Sequence, residues 1–428
     1  MFIRWPAFAL SVIGVVLAVA TRSSASALLV TLIIACVALL DAALAPSPMR
    51  VDVFRSGVAS TRIGESVTAQ LTVSNPSRRS VSGQIRDAWP PSMGVEPSRH
   101  VLKIPGGSEQ TVEAQITPTR RGTVRSHSVT IRTNGPLGLA GRQRSFPTSW
   151  SMKVLPPFIS RRHIPSRVRQ LRELDGQALL LVRGEGTEFD SLREYVAGDD
   201  VRAIDWRSSA RLGQTVVRTW RPERDRQVII VVDAGRAGAL RVSQAPAFDA
   251  FIESALLQSA IAGRAGDQVS VLVFDDDVRA RFVGKKDRAI THAVANTLAD
   301  VEPTLRATDW TGLPRQIAAI TTRPAFVVIL TTLGGGTPAS GLIDIVPELG
   351  RSHTVLIASA TLDDVDQPGE LDAKAAFNRA ASERSKLEAR NLTRMIERAG
   401  AFVIREGSEN LPVGVVDTYL DLKARGRL

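Results

Sequence analysis

Four short apolar runs in the second half of the chain constrain its fold more than any other feature: QVIIVVD, DQVSVLVF, PAFVVILTT and HTVLIAS. Each is compact and rich in β-branched residues, the pattern of strands covered on both faces in a parallel sheet. Helical periods lie between them: PAFDAFIESALLQSAIAGRAG, KDRAITHAVANTLADV, DWTGLPRQIAAITT and DAKAAFNRAASERSKLEARNLTRMIERAG. AFVIRE supplies a further strand. This alternation over residues 227–428 predicts a doubly wound α/β domain with helices on both faces of its sheet. Ligands of such sheets sit outside the carboxyl ends of the strands, near the switch in strand order. Asp233, closing QVIIVVD, is placed at such an end.

Residues 51–155 follow a different period. SVTAQLTVSN, SEQTVEAQIT and GTVRSHSVTIRTN alternate apolar and polar residues and are punctuated by NPS, PGG and NGPLG turns. Short strands at this spacing predict a small immunoglobulin-like β-sandwich, with Trp89 as a structural plug at one end. Residues 156–226 read as a polar, arginine-rich connecting segment.

At the N-terminus, residues 6–20 and 25–40 are apolar runs separated by TRSS. The second, with flanks interrupted only by Asp41, approaches the ~20 residues needed to cross a bilayer. Arg50, Arg55 and Arg62 follow the second run, whereas Arg22 alone lies between the runs. The positive-inside rule then predicts a two-pass helical hairpin, residues 1–48, in the inner cell membrane, with the soluble domains cytoplasmic. The competing reading of the first run is a cleaved signal peptide.

Composition excludes several classes. The net charge of +11 comes with arginines interleaved among acids, and aromatic residues make up 5% of the chain, so a nucleic-acid surface is not expected. Cys36 is the only cysteine, and His100, His127, His163, His292 and His353 are scattered without metal-ligand spacing. GGG at residues 334–336 lacks the Lys-Ser/Thr of a phosphate-binding loop, and the DDD at residues 275–277 reads as a solvated turn.

The densest stretch is GTEFDSLREYVAGDDVRAIDWRSSAR, residues 186–211. Glu188, Arg193, Tyr195, Asp199, Asp200, Arg202, Asp205, Trp206 and Arg211 are its candidate site residues. Arginines interspersed among the acids suit ion pairing better than proton transfer, because pairing holds carboxylates ionised. Ser208 and Ser209 have no nearby His to activate them. Phe189, Leu192 and Tyr195 fall at the spacing of one face of a short helix. The stretch is expected to dock on the α/β domain through its aromatic residues and Arg–Asp pairs, with a partner-binding surface as the alternative and catalysis disfavoured.

The run G-x-E-F-x-x-L-R-x-Y-x-x-G-D-D-x-R-x-I-D-W followed by S-x-A-R resembles the signature of the domain-of-unknown-function-58 family. The NGPLGL turn and the ending DTYLDLKARGRL are similar to that family as well. The resemblance implies a bacterial membrane-anchored protein with a von Willebrand factor type A-like domain, acting with a MoxR-type AAA+ ATPase in a chaperone-like or assembly role. It implies a non-enzymatic interaction module; a Mg²⁺-dependent adhesion-type binder and a hydrolase are the alternatives. Type A domains often hold Mg²⁺ through D-x-S-x-S. Here Asp233 is followed by Gly235 and Ala237, which offer no side-chain oxygen, so no cofactor is expected and Asp233, Thr308 and Asp309 are only weak metal candidates. Asp233 is expected instead to accept backbone N–H groups or to pair with Arg236.

Overall fold

The computed structural model of the chain describes every residue except 22–23, 182–187, 222–225, 243–244, 285–288, 335–339 and 362–372. It is a mixed α/β protein that divides into two compact units, Met1–Pro157 and Phe158–Leu428.

The first unit holds two apolar helices, α1 (Trp5–Thr21) and α2 (Ser24–Leu44), and ten strands. These are β1 (Phe2–Ile3), β2 (Asp52–Gly57), β3 (Ser60–Arg62), β4 (Val67–Asn75), β5 (Val81–Ala88), β6 (Val95–Glu96), β7 (Arg99–Ile104), β8 (Ser108–Ile116), β9 (Gly122–Asn134) and β10 (Ala140–Leu155). One sheet runs β1-β10-β9-β5-β7, with β3 beside β10, and the other runs β2-β4-β8-β6. Leu71, Val73 and Val112 from the second sheet meet Ile85, Leu102, Val129 and Ile131 from the first in one apolar core. That is the sandwich its alternating pattern calls for. Trp89 is half-buried, stacked edge-on to Trp150, and donates Nε1–H to Asp87, which also pairs with Arg55.

The apolar helices are tied to this sandwich by a buried acid. Asp41, near the end of α2, is fully buried and accepts from the backbone N–H groups of Leu137 (2.7 Å), Leu139 (2.8 Å) and Ala140 (2.9 Å). Gly135, in the same β9–β10 turn, must be glycine, because a Cβ there would overlap the Asp41 carboxyl. Arg142 returns the contact by donating to the C-terminal carbonyls of Ala42 and Ala43 at 2.9 and 3.0 Å. By length and composition, one apolar helical stretch among the described residues, Leu28–Arg50, suffices to cross a membrane, whereas Trp5–Val16 is shorter.

The second unit contains β11 (Glu188–Glu194), β12 (Val216–Arg221), β13 (Gln227–Asp233), β14 (Arg241–Val242), β15 (Ala245–Pro246), β16 (Gln268–Phe274), β17 (Val278–Val283), β18 (Ala325–Thr331), β19 (Thr354–Ala360) and β20 (Phe402–Glu406). Its helices are α3 (Ile164–Leu181), α4 (Trp206–Leu212), α5 (Arg236–Ala239), α6 (Ala247–Arg264), α7 (Ile290–Ala299), α8 (Leu313–Ala318), α9 (Ser340–Gly350), α10 (Ala373–Arg398) and α11 (Leu411–Ala424). The main sheet has the order β17-β16-β13-β18-β19-β20 and is parallel except for the edge strand β17. One face is covered by α8, α9 and α10 over Ile229, Val231, Leu272, Val327, Ile329 and Ile357. The other carries α6, with α7 and α11 packed beside it. Strand order reverses between β13 and β18, so the switch falls at the carboxyl ends of those two strands.

At the amino end of β16, opposite the switch, Asp267 receives the Tyr419 hydroxyl and the Lys423 ammonium (3.2 Å), fastening α11 to the start of that strand. Burial raises the Asp267 carboxyl above its ordinary range, opposed by the Lys423 charge. These partners come from the DTYLDLK ending.

The Asp41 contacts predict a local effect. Asp41→Ala leaves three amides of the β9–β10 turn without their acceptor, a loss of about 1–3 kcal/mol for a buried unsatisfied group. Hydrogen exchange by mass spectrometry on the full chain should show protection of a 134–140 peptide falling at least about tenfold, while the β13 peptide stays protected.

Candidate functional site

Two places gather the sequence-predicted residues: the switch of the sheet and the charged hairpin that precedes it. At the switch, Asp233 closes β13 and is 1% exposed. Its Oδ1 accepts from the Thr308 hydroxyl at 2.5 Å and from the Gly235 N–H at 2.9 Å, while Oδ2 accepts from the Thr331 hydroxyl at 2.5 Å. Burial pushes its carboxyl up from the ordinary range; the two hydroxyls and the Gly235 N–H pull the other way, and the neighbouring Asp275 adds a further upward push. Arg236 makes no ion pair with it, and its backbone N–H instead donates to the Arg306 carbonyl at 2.7 Å.

The weak metal candidates therefore part company. Thr308 reaches Asp233, whereas Asp309 accepts from its own Thr311 N–H and hydroxyl, at 3.1 and 2.6 Å, and caps a turn of helix. Thr331, which is not among the candidates legible in the sequence, supplies the second hydroxyl. Restoring the missing serine after Asp233 is sterically barred, because a Cβ on Gly235 would overlap the Thr308 hydroxyl. With both Asp233 oxygens already accepting protons, this donor set does not fit a hard divalent cation that wants several free oxygens. Among the described residues no group of three His, Cys, Asp or Glu side chains is placed to hold a metal.

Beside Asp233, the DDD turn is not uniformly solvated. Asp275 is fully buried, accepting from Asp277 N–H at 3.1 Å and Thr304 Oγ1 at 3.2 Å, and only its neighbours face water. Asp276 pairs with Arg306 at 2.9 Å. A small cleft of about 20 Å³ lies over the switch, lined by Asp233, Arg236, Thr308, Trp310 and Thr331. Of the GGG loop, residues 335–336 lie outside the described residues.

The charged hairpin departs from its expected form. Leu192 and Phe189 belong to β11, paired antiparallel with β12, and do not form a helix. A three-to-four spacing over so short a run does not separate helix from strand, and β12 supplies the partner that decides it. The acids are engaged locally. Asp199 takes a two-pronged contact from Arg193, at 2.5 and 2.7 Å, and accepts the Val196 N–H at 2.9 Å. Asp200 accepts the Arg202 N–H, capping a turn of 3-10 helix. Asp205 caps α4 through the Ser208 N–H at 3.0 Å and pairs with Arg218 of β12 at 2.8 Å. The Ser208 N–H first, and Arg218 second, hold the Asp205 carboxyl below the ordinary range. Ser209 is also structural: its hydroxyl donates to the Asp205 carbonyl at 2.7 Å and accepts the Val216 N–H at 2.9 Å.

Of the anchors expected to bury themselves on the α/β domain, Trp206 and Leu192 are exposed, Ile204 is half-buried, and the Phe189 side chain lies outside the described residues. Trp206 is 70% exposed, and Val201 (62%), Val196 (61%) and Leu212 (57%) of the same segment are exposed too. Tyr195 is half-buried, and α4 packs chiefly on β12. Arg202, Arg207 and Arg211 are exposed and, among the described residues, have no carboxylate partner. The side chain of Glu188, and Gly186 altogether, lie outside the described residues. The clasp reading fails for a physical reason: the acids find their partners on β11, β12 and local amides, so nothing draws the Trp206 face inward.

Residues 191–367 match the family described as "Protein of unknown function DUF58". It is 26% identical over 125 residues to the uncharacterized protein YeaD of Bacillus subtilis, covering 29% of this chain and 31% of that one. It is likewise 26% identical over 126 residues to the uncharacterized protein Rv1480 of Mycobacterium tuberculosis, covering 29% and 40%. The chain thus spans less than half the length of these curated relatives. A CARDB domain from Pyrococcus furiosus covers 25% of this chain and 94% of its own length at 12% identity, with a TM-score of 0.19. At that score the likeness adds nothing to the sheets described above.

An acid whose folded pKa is raised contributes stability that is fully present below the unfolded pKa and is lost as pH rises through the folded pKa. Asp233→Asn should therefore melt like the wild type in acid and become the more stable of the two as pH rises above the carboxylate range; parallel profiles would contradict the raised pKa. Gly235→Ser should lose about 1–3 kcal/mol from overpacking. Addition of Mg²⁺ should shift the melting of neither this variant nor the wild type.

Proposed function

We propose that this protein is a membrane-anchored, non-enzymatic interaction module whose family signature is a partner-binding surface. The observation that carries this reading is the outward face of the charged hairpin. There Trp206 is exposed, as are Val201, Val196 and Leu212 elsewhere in the segment, and Arg202, Arg207 and Arg211 have no carboxylate partner among the described residues. An exposed Trp among arginines has the composition of an interface centre, since Trp and Arg are enriched among residues that dominate binding energy. The hairpin is held in shape by its own caps and ion pairs, so the face is preorganised before any partner arrives.

In this reading the anchor is a two-pass hairpin with the soluble units on the cytoplasmic side. The α/β domain is a von Willebrand factor type A-like fold that has given up its metal, which the sheet order and the position of Asp233 support. The partner is a MoxR-type AAA+ ATPase, as the family resemblance implies, docking an acidic surface against the arginines. The occupied oxygens of Asp233 and the structural duty of Ser209 support a role without catalysis.

Trp206→Ala together with Arg207→Glu should leave the melting temperature of the full-length protein unchanged, because exposed substitutions alter stability by no more than about 0.5 kcal/mol. The same variant should weaken co-purification with the ATPase at least about tenfold, as expected on losing a hot spot of about 2 kcal/mol. Asp205→Ala should instead fray the hairpin itself, through loss of the helix cap on α4. A double variant that melts early would return the signature to a packing role. Normal melting with undiminished co-purification would remove this surface from the interface.

A further inference from the structure

The first unit carries a second exposed face, at the end of the sandwich where α1 begins and α2 stops. Asp41, Ala38, Ala42 and Ala45 of the α2 segment are buried, and Ala38 and Ala42 pack on Ala140 at the root of the β9–β10 turn. On the other side of the same turns of helix, Leu39, Leu40 and Leu44 are exposed by 57%, 57% and 51%. An apolar helix face therefore continues alongside the docked hairpin as far as Leu44. From Ser24 to Leu44 the helix is 21 residues long, about 31 Å at 1.5 Å per residue. That matches the ~30 Å hydrocarbon core of a bilayer. Stopping the core at Val37, before the docked turns begin, would leave only about 21 Å. A spanning α2 thus places the β9–β10 tip at the level of its last two turns.

The side chains at that level have the matching chemistry. Leu137 at the tip is 60% exposed; Ile3 and Trp5, beside it through the pairing of β1 with β10, are 67% and 76% exposed. Arg4 is held there by its N–H on the Leu139 carbonyl at 2.9 Å. The strand ladders bring the turn at residues 76–80 to the same end, since Gly83 pairs with Thr133 and Val81 with Ile104. Arg78 and Arg79 are exposed on that turn, and Arg50 follows α2, against the carboxylates Asp52 and Glu109. Apolar side chains at the tip with arginines set around them fit the boundary between acyl chains and anionic headgroups.

We infer that this end of the sandwich is seated in the bilayer interface, with Leu137, Ile3 and Trp5 in the acyl boundary and the arginines among anionic phospholipid headgroups. The seat explains the Asp41 arrangement. A carboxylate in the last turn of a spanning helix is costly in lipid, and three turn amides screen it there. The inference rests on the reading of α2 as a membrane span.

The test uses the full chain reconstituted into phosphatidylcholine–phosphatidylglycerol vesicles, with an NBD fluorophore on single cysteines and lipids brominated along the acyl chain as quenchers. Native Cys36, exposed on α2, reports the span itself. In a Cys36→Ser background, Leu137→Cys and Ile3→Cys report the seat, and Glu65→Cys reports the opposite end of the sandwich. The expected result is quenching at Cys36 and at both seat positions, with the Glu65→Cys probe unquenched. Quenching at Cys36 with none at either seat position would overturn the seat and leave the span standing. Loss of quenching at Cys36 as well would overturn both. Quenching at every position would also contradict the seat, since the unit would then lie buried as a whole.

Discussion

A carboxylate withdrawn from water must be given donors, and three buried aspartates organise much of this protein by that rule. Asp41 takes three turn amides and fixes the apolar helix to the sandwich. Asp267 takes a phenol and an ammonium, joining α11 to the sheet. Asp233 takes two hydroxyls and one amide at the switch point. Each acid joins segments distant in sequence, so each substitutes a specific long-range bond for the non-directional packing around it.

The same accounting separates the switch from the charged hairpin. At the switch the carboxylate is closed off, since both Asp233 oxygens already accept hydrogen bonds. In the hairpin the acids are likewise used locally, as caps and partners for Arg193 and Arg218, which leaves other arginines and an indole facing outward. Acids and arginines that the sequence pairs are consumed in shaping a surface, and the proposal of a partner follows from what remains exposed.

The large-scale architecture was legible in the sequence wherever burial dictated pattern. QVIIVVD and its three counterparts are strands because a sheet covered on both faces needs unbroken apolar runs, and the sandwich strands alternate because one face of each meets the core. Legibility ended where the partner came from afar. The donors to Asp41 lie 96 to 99 residues later in the chain, so the acid read only as an interruption of an apolar run. Thr331 and Thr332 are adjacent, yet alternation along a strand sends only one toward Asp233. Phe189, Leu192 and Tyr195 carried a helical spacing that pairing with β12 overrode. Arg218, the partner of Asp205, faces it across strand and helix, where neighbours such as Arg207 and Arg211 do not.

If the Trp206 face is turned toward a partner and away from its own domain, a photo-crosslinking amino acid placed at position 206 in cells should capture that partner. Crosslinks from position 206 to an AAA+ ATPase subunit, located by mass spectrometry, are expected. Crosslinks confined to the chain's own residues 227–428 would contradict that orientation.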